Sequence, residues 1–227
     1  GKPVHHVFDI PSSLVEPDPA RAAEARARLG LPAGAVLALY VGSFAVYQGI
    51  DLLFGSIPLA TRRNPHLHFA IIGGSPAEVA ARRAELAAAG CADRVLFLGH
   101  VDPDELPHVL AAADILLSPR IAGRNTPLKL LDYLKIGRAI VACDNPANRL
   151  ILDDSNARLV APEPDAFAAG IAALAADAAL RERLGAAGRR LHLATYNYRE
   201  YRRRLAEVYR QLLGPVAAVC RPPETLP

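Results

Sequence analysis

The sequence predicts an α/β fold with a Rossmann-like parallel sheet that is covered by helices on both faces. Apolar runs of strand length alternate with runs of helical length over residues 36–160, which is typical of parallel strands joined by helical crossovers. Several of the apolar runs are followed directly by glycine, which lets the backbone approach a ligand closely. We therefore expect the carboxyl ends of the strands to form one ligand-binding edge.

The first half of the chain contains three predicted strands, each marked by a largely unbroken apolar run. An Ala- and Arg-rich helix, residues 20–29, precedes them and is stopped by Gly30 and Pro32. The predicted elements are strand 36–41, helix 50–63, strand 67–72, helix 77–89, strand 95–98 and helix 103–112.

The stretch 114–144 predicts a strand–loop–helix–strand unit. The apolar run 115–117 suits a buried strand, and a polar loop rich in structure-breaking residues follows it. Thr126 is predicted to cap the helix, with Pro127 in its first turn, where a missing N–H costs nothing. Gly137 is placed to end the helix before a second buried strand, residues 139–142.

The loop before this helix is basic, and a helix N-terminus favours anions because its first N–H groups have no partner inside the helix. Arg120, Arg124 and Lys129 surround the predicted helix start. Asp132 lies just over one turn beyond Leu128, where a carboxylate can accept hydrogen bonds from hydroxyl groups. A phosphate site beside a carboxylate suits a nucleotide with a ribose. An ordinary capped helix with solvated surface charges is an equally open interpretation.

The C-terminal part continues with predicted helices. A basic run at Arg199 and residues 202–204, interleaved with tyrosines, suits either the charged face of a long helix or nucleic-acid binding. The predicted elements are strand 157–160, helices 165–176, 178–184 and 189–213, and a disordered tail, residues 214–227.

Composition excludes several classes of protein. With 52% hydrophobic residues among 227, the chain can bury a sizeable core, while a formal net charge of +3 is too small to indicate nucleic acid or an anionic membrane as partner. Cys91, Cys143 and Cys220 have neither metal-binding nor disulfide-framework spacing, which favours a reducing, cytoplasmic location. No apolar run reaches transmembrane length, and no signal peptide is recognisable.

The segment TPLKLLDYLKIGRAIVA, residues 126–142, resembles the signature segment of glycosyltransferase family 4, retaining enzymes of GT-B fold also called group 1. One branch of that family carries Asn-Thr-Pro-Leu-Lys before the helix, as residues 125–129 do here. The resemblance runs from about Val36 to Leu213. It implies that residues 20–213 form a nucleotide-sugar-binding domain, the C-terminal half of a GT-B enzyme.

The resemblance also implies roles for individual residues. Lys129 and the helix start would stabilise the departing diphosphate of a UDP- or GDP-linked sugar, with net retention at the anomeric carbon, no cofactor and no essential metal. Asp132 matches the second Glu of the family's paired-Glu motif and is implied to hold the ribose. The first Glu of that pair falls at Arg124. The family's basic residue and Lys after the first strand are replaced here by Ser43 and Gln48.

Taken together, the strand ends, the basic loop and the resemblance predict one donor site. His100 is expected either to face the nucleobase or to be an ordinary loop histidine. The Gly-rich segment after strand 67–72 lacks the G-x-G-x-x-G fingerprint of dinucleotide-binding enzymes, so an NAD enzyme is disfavoured. With Lys129 as the catalytic residue, the predicted donor-binding residues are Gly42, Ser43, Gly73, Gly74, His100, Arg120, Arg124, Asn125, Thr126, Leu128 and Asp132.

A GT-B enzyme has two similar domains, and this sequence contains one set of strand–helix units. The chain begins with Gly1, so we expect a fragment whose acceptor-binding N-terminal domain lies upstream or on a separate chain, with residues 1–19 as linker or as the end of that domain. Any peripheral membrane contact is left to the missing domain, and the fragment alone is expected to lack transferase activity. Two alternatives are a non-catalytic nucleotide-sugar-binding module and half of a GT-B sugar-nucleotide epimerase.

Overall fold

The computed structural model describes residues 4, 5, 7–123 and 125–213. The predicted residue Arg124 and the predicted tail, residues 214–227, lie outside this range. The strands are β1 (Val36–Val41), β2 (Leu67–Ile72), β3 (Val95–Gly99), β4 (Ile115–Ser118), β5 (Ala139–Cys143) and β6 (Arg158–Val160). The α-helices are α1 (Pro19–Arg28), α2 (Ile50–Arg63), α3 (Pro76–Ala88), α4 (Leu106–Ala111), α5 (Lys129–Ile136), α6 (Pro164–Ala176), α7 (Ala178–Thr195) and α8 (Tyr198–Leu213).

The six strands form one parallel sheet in the order β3-β2-β1-β4-β5-β6. This is the strand order of doubly wound nucleotide-binding folds, so the predicted fold class is confirmed. The order reverses between β1 and β4, and the connections that leave these two strands diverge. One leads to α2 and the other to α5, which leaves a crevice at the carboxyl ends of β1 and β4.

Two apolar layers cover the sheet because its central strands alternate their side chains between faces. From β1, Ala38 and Tyr40 pack in the layer that α2, α3 and α6 complete. Leu37 and Leu39 pack in the opposite layer, mainly with α4 and α5. All four side chains are fully buried. The core therefore fixes the strand ends, and with them the edge that carries the predicted site.

The prediction of a helix break between residues 184 and 189 is wrong, because α7 is continuous. Its glycines serve close packing instead. A Cβ atom at Gly185 would lie 2.2 Å from the carbonyl oxygen of Gly137, and one at Gly188 would lie 3.0 Å from the side chain of Leu134. The break comes at Asn197, whose side-chain oxygen accepts a hydrogen bond from the N–H of Glu200 at 3.0 Å and so caps α8.

Two helix starts also differ from the prediction. α4 begins at Leu106 rather than Pro103, because the intervening residues form a turn tied to Asp102. α5 begins at Lys129, and its N-cap position is held by Leu128, which has no side-chain acceptor. The predicted cap by Thr126 is therefore wrong.

Candidate functional site

The glycines after β1 and β2 form a tightly closed floor at the predicted edge. A Cβ atom at Gly73 would lie only 2.1 Å from the carbonyl oxygen of Gly42, and the φ of +115° at Gly73 is one that other residues rarely adopt. The N–H of Gly73 also donates to the carbonyl of Gly99 at 3.0 Å. Three strand ends are thus linked through backbone atoms alone, so a ligand can approach the main chain closely.

A cavity of about 520 Å³ opens above this floor, a volume typical of small-molecule sites. Strand ends form one side of it, while α4 and α5 form the other. Six residues of the predicted site line the cavity together: Gly42, Ser43, Gly73, Gly74, His100 and Asp132. Sequence reasoning missed the rest of its lining, which includes Ser12, Ser13, Val101, Leu106, Leu110 and Lys135.

Lys129 lies beside the β1 end of this edge. Its ammonium donates a hydrogen bond to the side-chain oxygen of Gln48 at 2.9 Å and sits 4.7 Å from the ring centroid of Tyr40. A Cβ atom at Gly42 would lie 2.7 Å from Nζ, which shows how close the cation comes to the floor. Burial, with the charge of Arg120, lowers the pKa of Lys129 to about 8. In the part of the chain that the structure describes, Lys129 forms no ion pair and its amide acceptor is neutral, so no carboxylate there compensates its charge.

Arg120 is buried inside its own loop instead of reaching toward solvent. Only 3% of the residue is exposed, and its guanidinium donates to the carbonyl of Ala122 at 2.8 Å and to the side-chain oxygen of Asn125 at 2.6 Å. The same group lies 5.7 Å from the ring centroid of Tyr47. These partners are all neutral. Arg120 therefore shapes the loop before α5, and its charge acts on Lys129.

Asp132 lies in the first turn of α5 and is engaged by the segment that precedes α1. The N–H of Ser12 donates to Oδ1 at 2.9 Å, and the hydroxyl of Ser12 donates to Oδ2 at 2.5 Å. Burial raises the pKa of Asp132, while the hydrogen bonds from Ser12 and Ser13 act in the opposite direction. This contact joins residues 120 positions apart, so no local sequence signal could have indicated it.

The remaining predicted residues that the structure describes do not line the cavity. Leu128 is half exposed, Asn125 is engaged with Arg120, and Thr126 lies between them in the chain. Among the residues that the structure describes, no group of three or more His, Cys, Asp or Glu side chains is arranged to hold a metal ion. In that same part of the chain, no helix is both long and apolar enough to cross a membrane.

A doubly wound parallel sheet with an open crevice at its switch point is the architecture of many nucleotide-binding domains. The family model for group 1 glycosyl transferases matches residues 35–177, and the chain belongs to this family of enzymes. The chain is 28% identical over 197 residues to a phosphatidyl-myo-inositol mannosyltransferase of Mycobacterium tuberculosis, covering 84% of this chain and 51% of that protein. It is 30% identical over 203 residues to a GDP-mannose-dependent α-(1-6)-phosphatidylinositol monomannoside mannosyltransferase of Mycolicibacterium smegmatis, covering 85% and 52%.

Solved structures confirm the expected fold as one half of a GT-B architecture. Anabaena HepE in complex with UDP superposes with a TM-score of 0.78 at 18% identity, covering 90% of this chain and 56% of that one. The C-terminal domain of the group 1 glycosyl transferase LpcC of Francisella tularensis gives a TM-score of 0.70 at 19% identity, covering 83% and 99%. The chain thus spans about half the length of the curated relatives it matches.

Proposed function

We propose that this chain is the donor-binding half of a retaining glycosyltransferase that uses a UDP- or GDP-linked sugar. The observation that carries the proposal is the uncompensated ammonium of Lys129 at the switch point, next to a cavity that Asp132 lines. A diphosphate needs positive charge, and a ribose needs a hydrogen-bond acceptor. The two groups lie three residues apart in the first turn of α5, which places them on the same side of the helix.

The diphosphate would lie beside Lys129 along the glycine floor, because the ammonium already comes too close to Gly42 for a phosphate to fit between them. Backbone N–H groups at the start of α5 add to the field there, because the helix dipole places partial positive charge at its N-terminus. Lys129 is already desolvated, so its charge acts in a medium of low effective dielectric constant. When the bond between the anomeric carbon and the diphosphate breaks, the negative charge that develops on the leaving oxygen is stabilised by this preorganised cation.

The nucleoside would occupy the cavity. Asp132 would accept hydrogen bonds from the two ribose hydroxyls, which is a charge-assisted arrangement. The base would then lie toward the apolar wall that Val101, Leu106 and Leu110 supply, with His100 at the strand end. An apolar wall with a few polar groups at one end is the usual composition of a small-molecule site.

Net retention and acceptor binding belong to the proposal as well. The acceptor-binding domain, upstream or on another chain, would close over the donor and deliver a hydroxyl group to the face of the sugar that the diphosphate leaves. One relative is named as GDP-mannose-dependent and one structural neighbour was solved with UDP, which supports a nucleotide-sugar donor without choosing the base.

A non-catalytic nucleotide-sugar-binding module is the second candidate. It is favoured by the neutral residues Ser43 and Gln48 on the β1 side of the crevice, since a transferase gains from more positive charge at the leaving group.

The test combines binding with transfer. The chain should bind UDP or GDP more tightly than the corresponding nucleosides in calorimetry, and it should not transfer sugar alone. The chain joined to its acceptor-binding domain should transfer sugar, with NMR of the product showing the anomeric configuration of the donor. Binding without transfer by the joined protein supports the module, whereas failure of every nucleoside diphosphate to bind refutes both.

A further inference from the structure

The segment formed by residues 12–16, here called the latch segment, lies along α5 and α7 through polar contacts. Ser12 engages both oxygens of Asp132. The ammonium of Lys135 donates to the carbonyl oxygens of Ser13, at 2.6 Å, and Val15. Glu16 completes the set with a 2.9 Å ion pair to Arg189. The segment therefore spans from the cavity to the outer surface of α7.

The contact of Ser12 reproduces the pattern that a ribose diol would make. Two donors, one N–H and one O–H, face the two oxygens of one carboxylate, as two neighbouring hydroxyls do. Ser12 and Ser13 also line the same cavity as Asp132, so they occupy the approach to it. A ligand whose two neighbouring hydroxyls bind Asp132 would therefore compete with Ser12 for the same two carboxylate oxygens.

We propose that the latch segment is an autoinhibitory strap that competes with the nucleotide ribose for Asp132, so that nucleotide binding and release of Ser12 are coupled. The proposal rests on the proposed function, since it takes Asp132 as the ribose acceptor. The latch segment can be displaced at a modest cost in free energy because it buries little apolar surface. Leu14 is 58% exposed and Val15 is 37% exposed, and segments with few buried contacts open locally at low free energy.

Release is expected to be confined to the Ser12 end. Lys135 and Arg189 hold the other end from two helices, through the carbonyl oxygens of Ser13 and Val15 and the carboxylate of Glu16. The occupied site would therefore reposition the chain that precedes Ser12 while residues 15 and 16 stay anchored. The two contacts are thermodynamically linked. If a bound nucleotide weakens the contact between Ser12 and Asp132 by some factor, that contact must weaken nucleotide binding by the same factor.

The first experiment compares Ser12→Ala with Ser155→Ala in the full chain. Ser12→Ala removes the hydroxyl donor to Asp132, whereas the Ser155 hydroxyl donates to Oδ1 of Asp153 at 2.5 Å outside the cavity, so Ser155→Ala is a matched control. Calorimetry with UDP and GDP should show about a threefold to tenfold gain in affinity for Ser12→Ala, the scale of the net contribution of one ordinary hydrogen bond. Ser155→Ala should match the parent, and inorganic pyrophosphate should bind all three proteins equally.

The outcomes separate the two proposals. If the parent binds nucleoside diphosphate and Ser12→Ala binds it no more tightly, the latch is refuted and the proposed function stands. Weaker binding by Ser12→Ala would make Ser12 a ligand contact and would refute the latch as well. If the parent binds no nucleoside diphosphate, both proposals fail together.

Hydrogen exchange gives a second, independent readout. The Ser12 N–H is held by Asp132 Oδ1 at 2.9 Å, so a saturating nucleoside diphosphate should accelerate exchange in the peptide that contains residues 12–15, while exchange in α5 slows. Unchanged or slower exchange at Ser12 on nucleotide binding would overturn the latch.

Discussion

Lys129 and Gln48 join the two sides of the crevice through a single hydrogen bond of 2.9 Å between Nζ and the amide oxygen. Gln48 ends the short turn Val46–Gln48 before α2, and Lys129 begins α5, so the contact spans elements on opposite faces of the sheet. An amide oxygen positions the ammonium without neutralising it. The crevice thus keeps the positive charge of Lys129 between the connections that leave β1 and β4.

Replacing Lys129 should weaken diphosphate binding selectively. Lys129→Ala is expected to reduce the affinity for UDP or GDP by at least about tenfold, or about 1.4 kcal/mol, and to leave uridine and guanosine nearly unaffected. Lys129→Met should behave alike, since it keeps a long side chain beside Tyr40 and removes the charge. Calorimetry of both variants checks this, with the exposed Arg62→Ala as control. Parent-like affinity in both variants would remove Lys129 from the phosphate site.

The lowered pKa of Lys129 predicts proton uptake on binding. A bound diphosphate favours the ammonium form and raises the pKa from about 8. Below that value the lysine is already charged, so affinity should depend little on this group. Above it, binding must capture a proton, and affinity should fall as the pH rises. Calorimetry at about pH 9 in buffers of different ionisation enthalpy should reveal the uptake, and Lys129→Met should lack it.

The same shift affects stability with a defined sign. The folded pKa of about 8 lies below the ordinary value of 10.5, so between the two the unfolded chain binds more protons. The free energy of unfolding contributed by this group should therefore rise with pH across that interval. Urea denaturation of the parent and Lys129→Met at several pH values checks this. Parallel pH profiles for the two proteins would contradict the assigned shift.

Asp132 is expected to bind the ribose. Asp132→Ala should weaken UDP or GDP binding by about 1–3 kcal/mol, the scale of charge-assisted hydrogen bonds. It should barely change binding of the 2′,3′-dideoxy nucleotide, which lacks the hydroxyls. The difference should grow in a Ser12→Ala background, because Ser12 then no longer offsets part of the ribose interaction. Equal losses for both ligands in calorimetry would show that Asp132 does not contact the ribose.

The strands and most helices could be predicted because their signals are local. Unbroken apolar runs indicated the strand bounds, and glycine marked the ends of β1 and β2 correctly, since the chain there needs a conformation and a closeness that only glycine permits. The same rule failed at Gly185 and Gly188. Their small size serves the packing of α7 against the chain around Leu134 and Gly137, which no local pattern indicates.

The site was partly predictable for the same reason. Gly42 and Asp132 were placed from strand ends and helix spacing, whereas the partners of Asp132 and Lys129 depend on tertiary geometry. Ser12 lies 120 residues from Asp132, and Gln48 lies 81 residues from Lys129. Arg120 is predicted from the sequence to be a loop cation, yet the loop folds around it and buries it. Sequence spacing predicts which edge of the sheet carries the candidate site, but it does not predict which groups each charged side chain contacts.

A graded glycine series should show how rigid the floor of the site is. Gly30 has a φ of +62° and open space where a Cβ atom would stand, so alanine there bears backbone strain only, about 1–2 kcal/mol. Alanine at Gly74, φ +79°, would also press on the ring of Phe44 at 2.7 Å, and a side chain can shift. Alanine at Gly73 would meet the carbonyl oxygen of Gly42 at 2.1 Å, and that atom belongs to the backbone that β1 and β2 fix.

The free energy of unfolding, measured by urea denaturation, should therefore fall in the order Gly30→Ala, Gly74→Ala, Gly73→Ala, with a loss of at least about 3 kcal/mol for the last. If Gly73→Ala is the only one of the three variants that fails to fold, the result agrees with the same order of stability. Nucleotide affinity should be unchanged in Gly30→Ala, because Gly30 does not line the cavity. If Gly73→Ala is as stable as Gly30→Ala, the strand ends can separate. The backbone at Gly42 and Gly73 would then adjust to a bound diphosphate, and Lys129 would have to hold the phosphates without a rigid backbone beside them.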